Sequence, residues 1–150
     1  MTTANIEIRG LTENDYDMLK NLQEQPDNDF ELCEFIGKDL DEEPSSYGYG
    51  LFIDGILAAQ CSIGGAEEIA DSIEFDNDSP ISDNELLSDV YVRPEYRNNG
   101  LAHKIIDYAI NDESHRNSNI YCMPYADIED MYRHMGFEDV TDGVLVMKRH

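Results

Sequence analysis

Apolar positions along the chain recur at two periods, and the switches between them mark its elements. In IEI (6–8) apolar and charged residues alternate, the period of a half-buried strand. LTENDYDMLKNL (11–22) turns helical. Tyr16, Leu19 and Leu22 make the apolar face, and Thr12 is placed to cap with Asp15 three residues on. Leu11 is positioned to staple to Tyr16, and Pro26 closes the segment. Phe30, Cys33 and Ile36 predict a second helix over 28–40, followed by a loop, DEEPSSYG (41–48). Residues 47–65 read as two strands joined at Asp54-Gly55, a pair suited to a turn that needs positive φ twice. The acidic stretch 66–83 reads as an extended hairpin end or a loop, and NELLSDVYV (84–92) as a strand rich in β-formers. Leu101, Ala102, Ile105, Ile106, Ala109 and Ile110 then form a wide helical stripe. SNIYCM (118–123) is a short strand. Ile128, Met131, Tyr132 and Met135 form a helix stopped by Gly136, and GVLVMKR (143–149) is the last strand. The order β-α-α-β-β-β-α-β-α-β, without repeat or linker, predicts one mixed α/β or α+β domain over 1–150.

Charge narrows the choice of partners. The 150 residues hold 33 acids and 10 bases, a net charge of −23. Such a surface repels nucleic acid and anionic membrane, so neither is an expected partner. The charge is uneven: residues 1–92 carry 23 acids against 3 bases, and residues 93–150 carry 10 against 7. The second part tolerates an anionic ligand, and the first favours a cationic one. A solvated acidic surface tuned for solubility explains the excess equally well. Cys33, Cys61 and Cys122 lack metal-ligand spacing and any C-x-x-C, which fits reduced thiols in a cytoplasmic protein. Cys122 reads as a buried thiol and not as a nucleophile. His103, His115 and His134 also lack metal spacing and read as surface or helix-cap residues, so no metal is expected. MTTANIEIRG has neither the basic start nor the apolar stretch of a signal peptide, and no apolar run approaches the roughly 18 residues of a membrane span.

One stretch stands against the acidic background. In RPEYRNNGLAHK (93–104) two arginines bracket Pro-Glu-Tyr, and an Asn-Asn-Gly turn opens an apolar-periodic helix. A helix N-terminus leaves about four N–H groups unpaired and carries roughly half a positive charge, so phosphates bind there. Gly100 lets the backbone approach closely, Ala102 leaves space, and Arg97 offers a planar fork to phosphate oxygens. The turn is neither a Walker A loop nor a Rossmann fingerprint, because G-K-[ST] and G-x-G-x-x-G are both missing. An ordinary strand-to-helix connection with exposed arginines is the plainer alternative.

VYVRPEYRNNGLA resembles the acetyl-CoA-binding motif of the GNAT superfamily of N-acetyltransferases, [Q/R]-x-x-G-x-[G/A] after a strand and opening a helix. Here it is Arg97-Asn98-Asn99-Gly100-Leu101-Ala102. DMYRHMGF (130–137) resembles the second signature of the family, a helix carrying Tyr and ending in Gly-Phe. The element order is similar to the GNAT fold over nearly the whole chain. The resemblance implies a single domain with a mixed central sheet of about six to seven strands and about four flanking helices. It implies acetyl-CoA as co-substrate, with Val90, Tyr91 and Val92 pairing with the pantetheine arm. The amides of residues 97–102 would hold the pyrophosphate with Arg97, joined by His103 at the helix start. Tyr132 would protonate the leaving thiolate, although by periodicity alone it reads as a core tyrosine.

Two departures bear on that carry-over. Tyr125 stands where many members have asparagine, and Ser88 where some have a glutamate base. Asp89 and Glu85 are the remaining acids on the strand that could take the proton from the amine. The resemblance implies that QPDNDFELCEF and DLDEEP border the acceptor, and their acidity suggests a cationic amine: a polyamine, an aminoglycoside-like amine, or a peptide or protein amine. A homodimer is compatible with this reading. The alternative is a non-catalytic acyl-CoA-binding or interaction module on the same fold.

Overall fold

The computed structural model describes residues 5–25, 46–65, 84–113, 115–141 and 143–149. The predicted helix over 28–40 and the acidic stretch 66–83 lie outside the described residues. Seven strands hydrogen-bond in the order β1-β2-β3-β4-β5-β7-β6, where β1 is Ile6–Gly10, β2 Ser46–Ile53, β3 Ile56–Gly65, β4 Asn84–Val92, β5 Asn119–Cys122, β6 Glu138–Thr141 and β7 Val144–Met147. Three α-helices are described: α1 Tyr16–Gln23, α2 Leu101–Ile110 and α3 Glu129–Met135. This is the expected mixed α/β class. The chain divides into two compact units, residues 1–62 with 89–109, and residues 63–88 with 110–150.

In the first unit β1 pairs antiparallel with β2, from Ile6 opposite Ile53 to Gly10 opposite Tyr49. β2 begins at Ser46, inside the expected loop. It turns into β3 at Asp54 and Gly55, whose φ values of 50° and 84° are the two positive values that an Asp-Gly hairpin requires. Of the expected capping box only the return arm forms, and the Thr12 hydroxyl does not cap a helix N–H. The Asp15 carboxylate accepts from the Thr12 N–H at 2.8 Å, and both its oxygens accept from Arg9 at 2.7 Å. The Arg9 guanidinium lies 4.3 Å from the centre of the Phe52 ring. Residues 13–15 make a 3-10 turn ahead of α1. Tyr16 is left 39% exposed, and Leu11 and Met18 pack with Leu19, Leu22, Phe52, Leu57 and Tyr91.

Two stability predictions arise here. First, the hydrogen bond from Arg9 holds the Asp15 carboxyl below its ordinary value, against the opposing effect of burial. A depressed carboxylate stabilises the fold above its unfolded pKa, and the contribution fades as pH falls through the folded value. Arg9 is 37% exposed, so solvent screens part of the pair. Asp15→Asn is expected to cost about 1–2 kcal/mol at neutral pH. In urea melts across pH, the gap to the parent should close below about pH 4. Second, a Cβ on Gly50 would lie 2.7 Å from Leu11 Cδ2, 2.8 Å from Leu57 Cδ1 and 3.0 Å from Phe52 Cε2. Gly50→Ala therefore overpacks this core. A loss of about 1–3 kcal/mol in urea unfolding is expected.

In the second unit β4 runs parallel to β5, from Asn84 opposite Asn119 to Leu87 opposite Cys122. β5 pairs antiparallel with β7, and β7 with β6. Leu86, Tyr121, Val144 and Val146 form the core. β6 was not expected from the sequence. Its four residues are all exposed, so no apolar alternation betrays it. The signal was the Asp142-Gly143 pair ahead of the last strand, with Gly143 at φ 78°. Arg133 also joins α3 to β6, bonding to Glu129, Asp130 and Asp139. Gly136 caps α3 as predicted, at φ 110°, and the next N–H, of Phe137, reaches the Tyr132 carbonyl at 3.1 Å.

Candidate active site

The arginine-rich stretch resolves into two different roles. Arg93 turns inward and is buried. Its Nε donates to the Leu57 carbonyl at 2.6 Å and its Nη2 to Asn21 Oδ1 at 2.8 Å, so it straps the end of β4 to β3 and α1. Arg97 stays exposed. Its Nε donates to the Val92 carbonyl at 2.9 Å and its guanidinium sits 5.4 Å from the centre of the Tyr91 ring. Pro94–Tyr96 form a 3-10 turn, and Asn98 and Gly100 then take φ values of 68° and 75°. Asn99 Nδ2 ties the turn together by donating to the Tyr96 and Arg97 carbonyls at 3.1 and 3.2 Å.

α2 starts directly after this turn, with no acid in its first turn. The leading amides of such a helix have no intrahelical acceptor and point out of its end. A Cβ built on Gly100 would meet no atom within 4 Å, so the glycine serves the backbone angle and fronts open space. Leu101, Ile105, Ile106 and Ala109 are buried, Ala102 is half-buried and His103 is exposed. The apolar stripe thus fixes the helix by its inner face and presents its N-terminus. Residues 97–103 bring together a glycine turn, an exposed arginine and the N-terminal amides of a helix, groups of the kind that bind phosphates. Val90, Tyr91 and Val92 lead into this stretch on β4, with Tyr91 buried in the core and Val90 and Val92 half-buried.

The two acids on β4 have different surroundings. Asp89 has φ 56°, a left-handed residue in the middle of a strand. Its carbonyl accepts from Gln60 Nε2 at 3.2 Å and its Oδ2 from Ser62 Oγ at 3.1 Å. Gln60 and Ser62 went unmarked in the sequence. The available signal was a polar pair two residues apart in the otherwise apolar ILAAQCSI. Glu85 sits opposite Ile120, with both carboxylate oxygens 2.9 Å from His115 Nδ1. His115 is fully buried, which corrects its reading as a surface residue. The turn after α2, where the His115 N–H bonds the Asp112 carbonyl at 2.8 Å, carries it inward to Glu85. His134 is exposed as expected, with Nδ1 2.8 Å from the Asp130 carbonyl.

Tyr132 is buried on α3, its ring edge-on to Phe137 at 5.5 Å and 84°. The Gly-Phe ending has a physical purpose: Gly136 reverses the chain, and Phe137 returns to brace the tyrosine. Burial, aided by the Glu129 charge, pushes the Cys122 thiol up to about 12. Burial raises the Cys61 thiol as well, with the Asp89 charge adding to it. Both remain protonated at neutral pH, which removes them as nucleophiles. Among the described residues no three His, Cys, Asp or Glu gather as a metal site, and no helix is long and apolar enough to cross a membrane.

The family model of the acetyltransferase (GNAT) domain matches residues 56–139, and the chain belongs to that family. No curated protein sequence matches the chain. Among solved structures, Arabidopsis thaliana NAA60 in complex with acetyl-CoA is similar at a TM-score of 0.67 and 16% identity, over 95% of this chain and 98% of that one. The Bacillus subtilis N-acetyltransferase YlbP in complex with coenzyme A gives 0.62 and 19%, over 97% and 96%. A GNAT family acetyltransferase from Brucella melitensis in complex with acetyl-CoA gives 0.65 and 12%, over 97% and 89%. At these identities the likeness shows the shared fold. The family match decides between the two sequence readings in favour of an acetyltransferase.

Proposed function

We propose that residues 1–150 act as one N-acetyltransferase domain that moves an acetyl group from acetyl-CoA to a cationic primary amine, by direct attack with both substrates bound. The observation that carries this is the cradle. Gly100 at positive φ fronts open space at the start of a helix with no acid in its first turn, beside an exposed Arg97. The coenzyme A and acetyl-CoA complexes of the similar structures support acetyl-CoA as co-substrate.

Acetyl-CoA supplies the activated acyl group as a thioester. The amides of residues 97–102 and the terminal nitrogens of Arg97 hold the pyrophosphate, with His103 at the margin. The backbone of Val90, Tyr91 and Val92 aligns the pantetheine arm, and an N–H there faces the developing oxyanion. Aligning both substrates is worth up to about 7–11 kcal/mol of the barrier, so positioning carries most of the catalysis. Asp89 takes the proton of the incoming ammonium, directly or through water. It is favoured over Glu85 because the Asp89 carboxylate accepts from the neutral Ser62 hydroxyl, whereas both Glu85 oxygens are engaged by one imidazole nitrogen of His115. Tyr132 returns a proton to the leaving thiolate.

Support for a cationic acceptor is the excess of 23 acids over 3 bases in residues 1–92. A calorimetric titration with acetyl-CoA comes first. Thiol release is then followed with spermidine, an aminoglycoside, lysine and N-terminal peptides, and neutral amino acids. The cationic amines should react faster, with a KM that rises with salt as the attraction is screened. Faster reaction of neutral amino acids would overturn the cationic reading, and absence of transfer to every amine would overturn the amine reading.

A further inference from the structure

β3 buries Leu57, Ala58, Ala59, Cys61 and Ile63, yet among them it also buries Gln60 and Ser62, at 3% and 2% exposure. Buried polar side chains cost stability unless they are hydrogen-bonded, and both of these bond to the same residue. Gln60 Nε2 donates to the Asp89 carbonyl at 3.2 Å, and Ser62 Oγ donates to Asp89 Oδ2 at 3.1 Å. Gln60 Oε1 is buried without a partner among the described residues, so the amide bears an orphan acceptor in order to place its donor. The residue they grip has φ 56° in mid-strand, a conformation that persists for a non-glycine residue only when its surroundings enforce it. Asp89 also marks a change along β4: the residues before it pair with β5 as far as Leu87, and Tyr91 beyond it joins the core of Leu19, Leu22, Phe52 and Leu57.

We propose that Gln60 and Ser62 are a pair of positioning residues that act through Asp89. Gln60 holds the left-handed backbone that aims Val90–Val92, and Ser62 orients the carboxylate. The functional half of this inference rests on the reading of Asp89 as proton acceptor. The clamp itself does not.

The test uses the full chain labelled with 15N and 13C, in the parent and in Ser62→Ala, Ser62→Thr and Gln60→Leu. Ser62→Ala should displace the Asp89 side-chain carboxyl signal, and Ser62→Thr should return it to the parent position. Gln60→Leu should displace the Asp89 carbonyl and Val90 amide signals. Its melting temperature should fall modestly, because the Asp89 carbonyl loses its donor while the loss of the orphan oxygen offsets part of the cost. Acetyl-CoA affinity should remain within about twofold in both Ser62 variants and weaken in Gln60→Leu, whose backbone shift reaches Val90–Val92, while turnover falls about tenfold in Ser62→Ala and Gln60→Leu, the worth of one hydrogen bond. Parent-like Asp89 and Val90 signals in Ser62→Ala and Gln60→Leu would overturn the clamp. Displaced signals, with a parental rate in Asp89→Asn, would keep the clamp and overturn Asp89 as the proton acceptor.

Discussion

Gly100→Glu is expected to abolish acetyl-CoA binding, with affinity falling at least about 100-fold in calorimetry while the fold survives. Three effects combine. The residue has φ 75°, where a side chain with a Cβ costs about 1–2 kcal/mol. No atom lies within 4 Å of the added Cβ, so the protein itself does not clash with the new side chain. The carboxylate then enters the space reserved for the pyrophosphate and reverses the sign of the helix end. Repulsion between unit charges at about 4 Å costs about 1 kcal/mol in water and about 4 near a protein surface. The figure near a protein surface alone exceeds the roughly 2.7 kcal/mol that 100-fold represents. Gly100→Ala separates the terms. It keeps the strain but brings neither the charge nor the bulk, and should lose about tenfold. Parental affinity in Gly100→Glu would show that the turn is only a strand-to-helix connection.

The cradle was legible because its signals are local. An Asn-Asn-Gly turn, an arginine and a helical stripe stand within twelve residues, and the backbone angles at Asn98 and Gly100 follow from that chemistry. The same holds for the Asp54-Gly55 hairpin. What escaped depends on residues distant in sequence. Arg93 and Arg97 look equivalent in RPEYR, and only the approach of Leu57 and Asn21 makes the first a buried strap. His115 has no apolar pattern around it, and its burial comes from Glu85, 30 residues earlier. Gln60 and Ser62 look like the polar face of a strand until Asp89 is placed beside them. β6 escaped because an exposed edge strand needs no alternation. Local chemistry thus makes the turn at 97–100 legible, and the partners of Arg93, Asp89 and Glu85 become visible only in three dimensions.

Tyr132→Phe tests the proposed general acid. The substitution keeps the ring, so the edge-on contact with Phe137 at 5.5 Å persists and the helix stays braced. Only the hydroxyl is lost. If that hydroxyl protonates the departing thiolate, the loss falls on the chemical step and leaves cofactor binding alone. General acid catalysis contributes about 10²–10⁴-fold. A thiolate leaves more readily than an alkoxide or amide, since simple thiols ionise near pH 8.5, so the lower end of the range applies. Turnover should drop about 100-fold with acetyl-CoA affinity unchanged. A drop in turnover without a change in affinity marks an interaction made only in the transition state. A core tyrosine behaves differently. Removing its hydroxyl would cost about 1 kcal/mol of stability and leave turnover at the parental value. Measured side by side, turnover, acetyl-CoA affinity and the urea midpoint of this one variant decide whether the Tyr-Gly-Phe segment is there for chemistry or for packing.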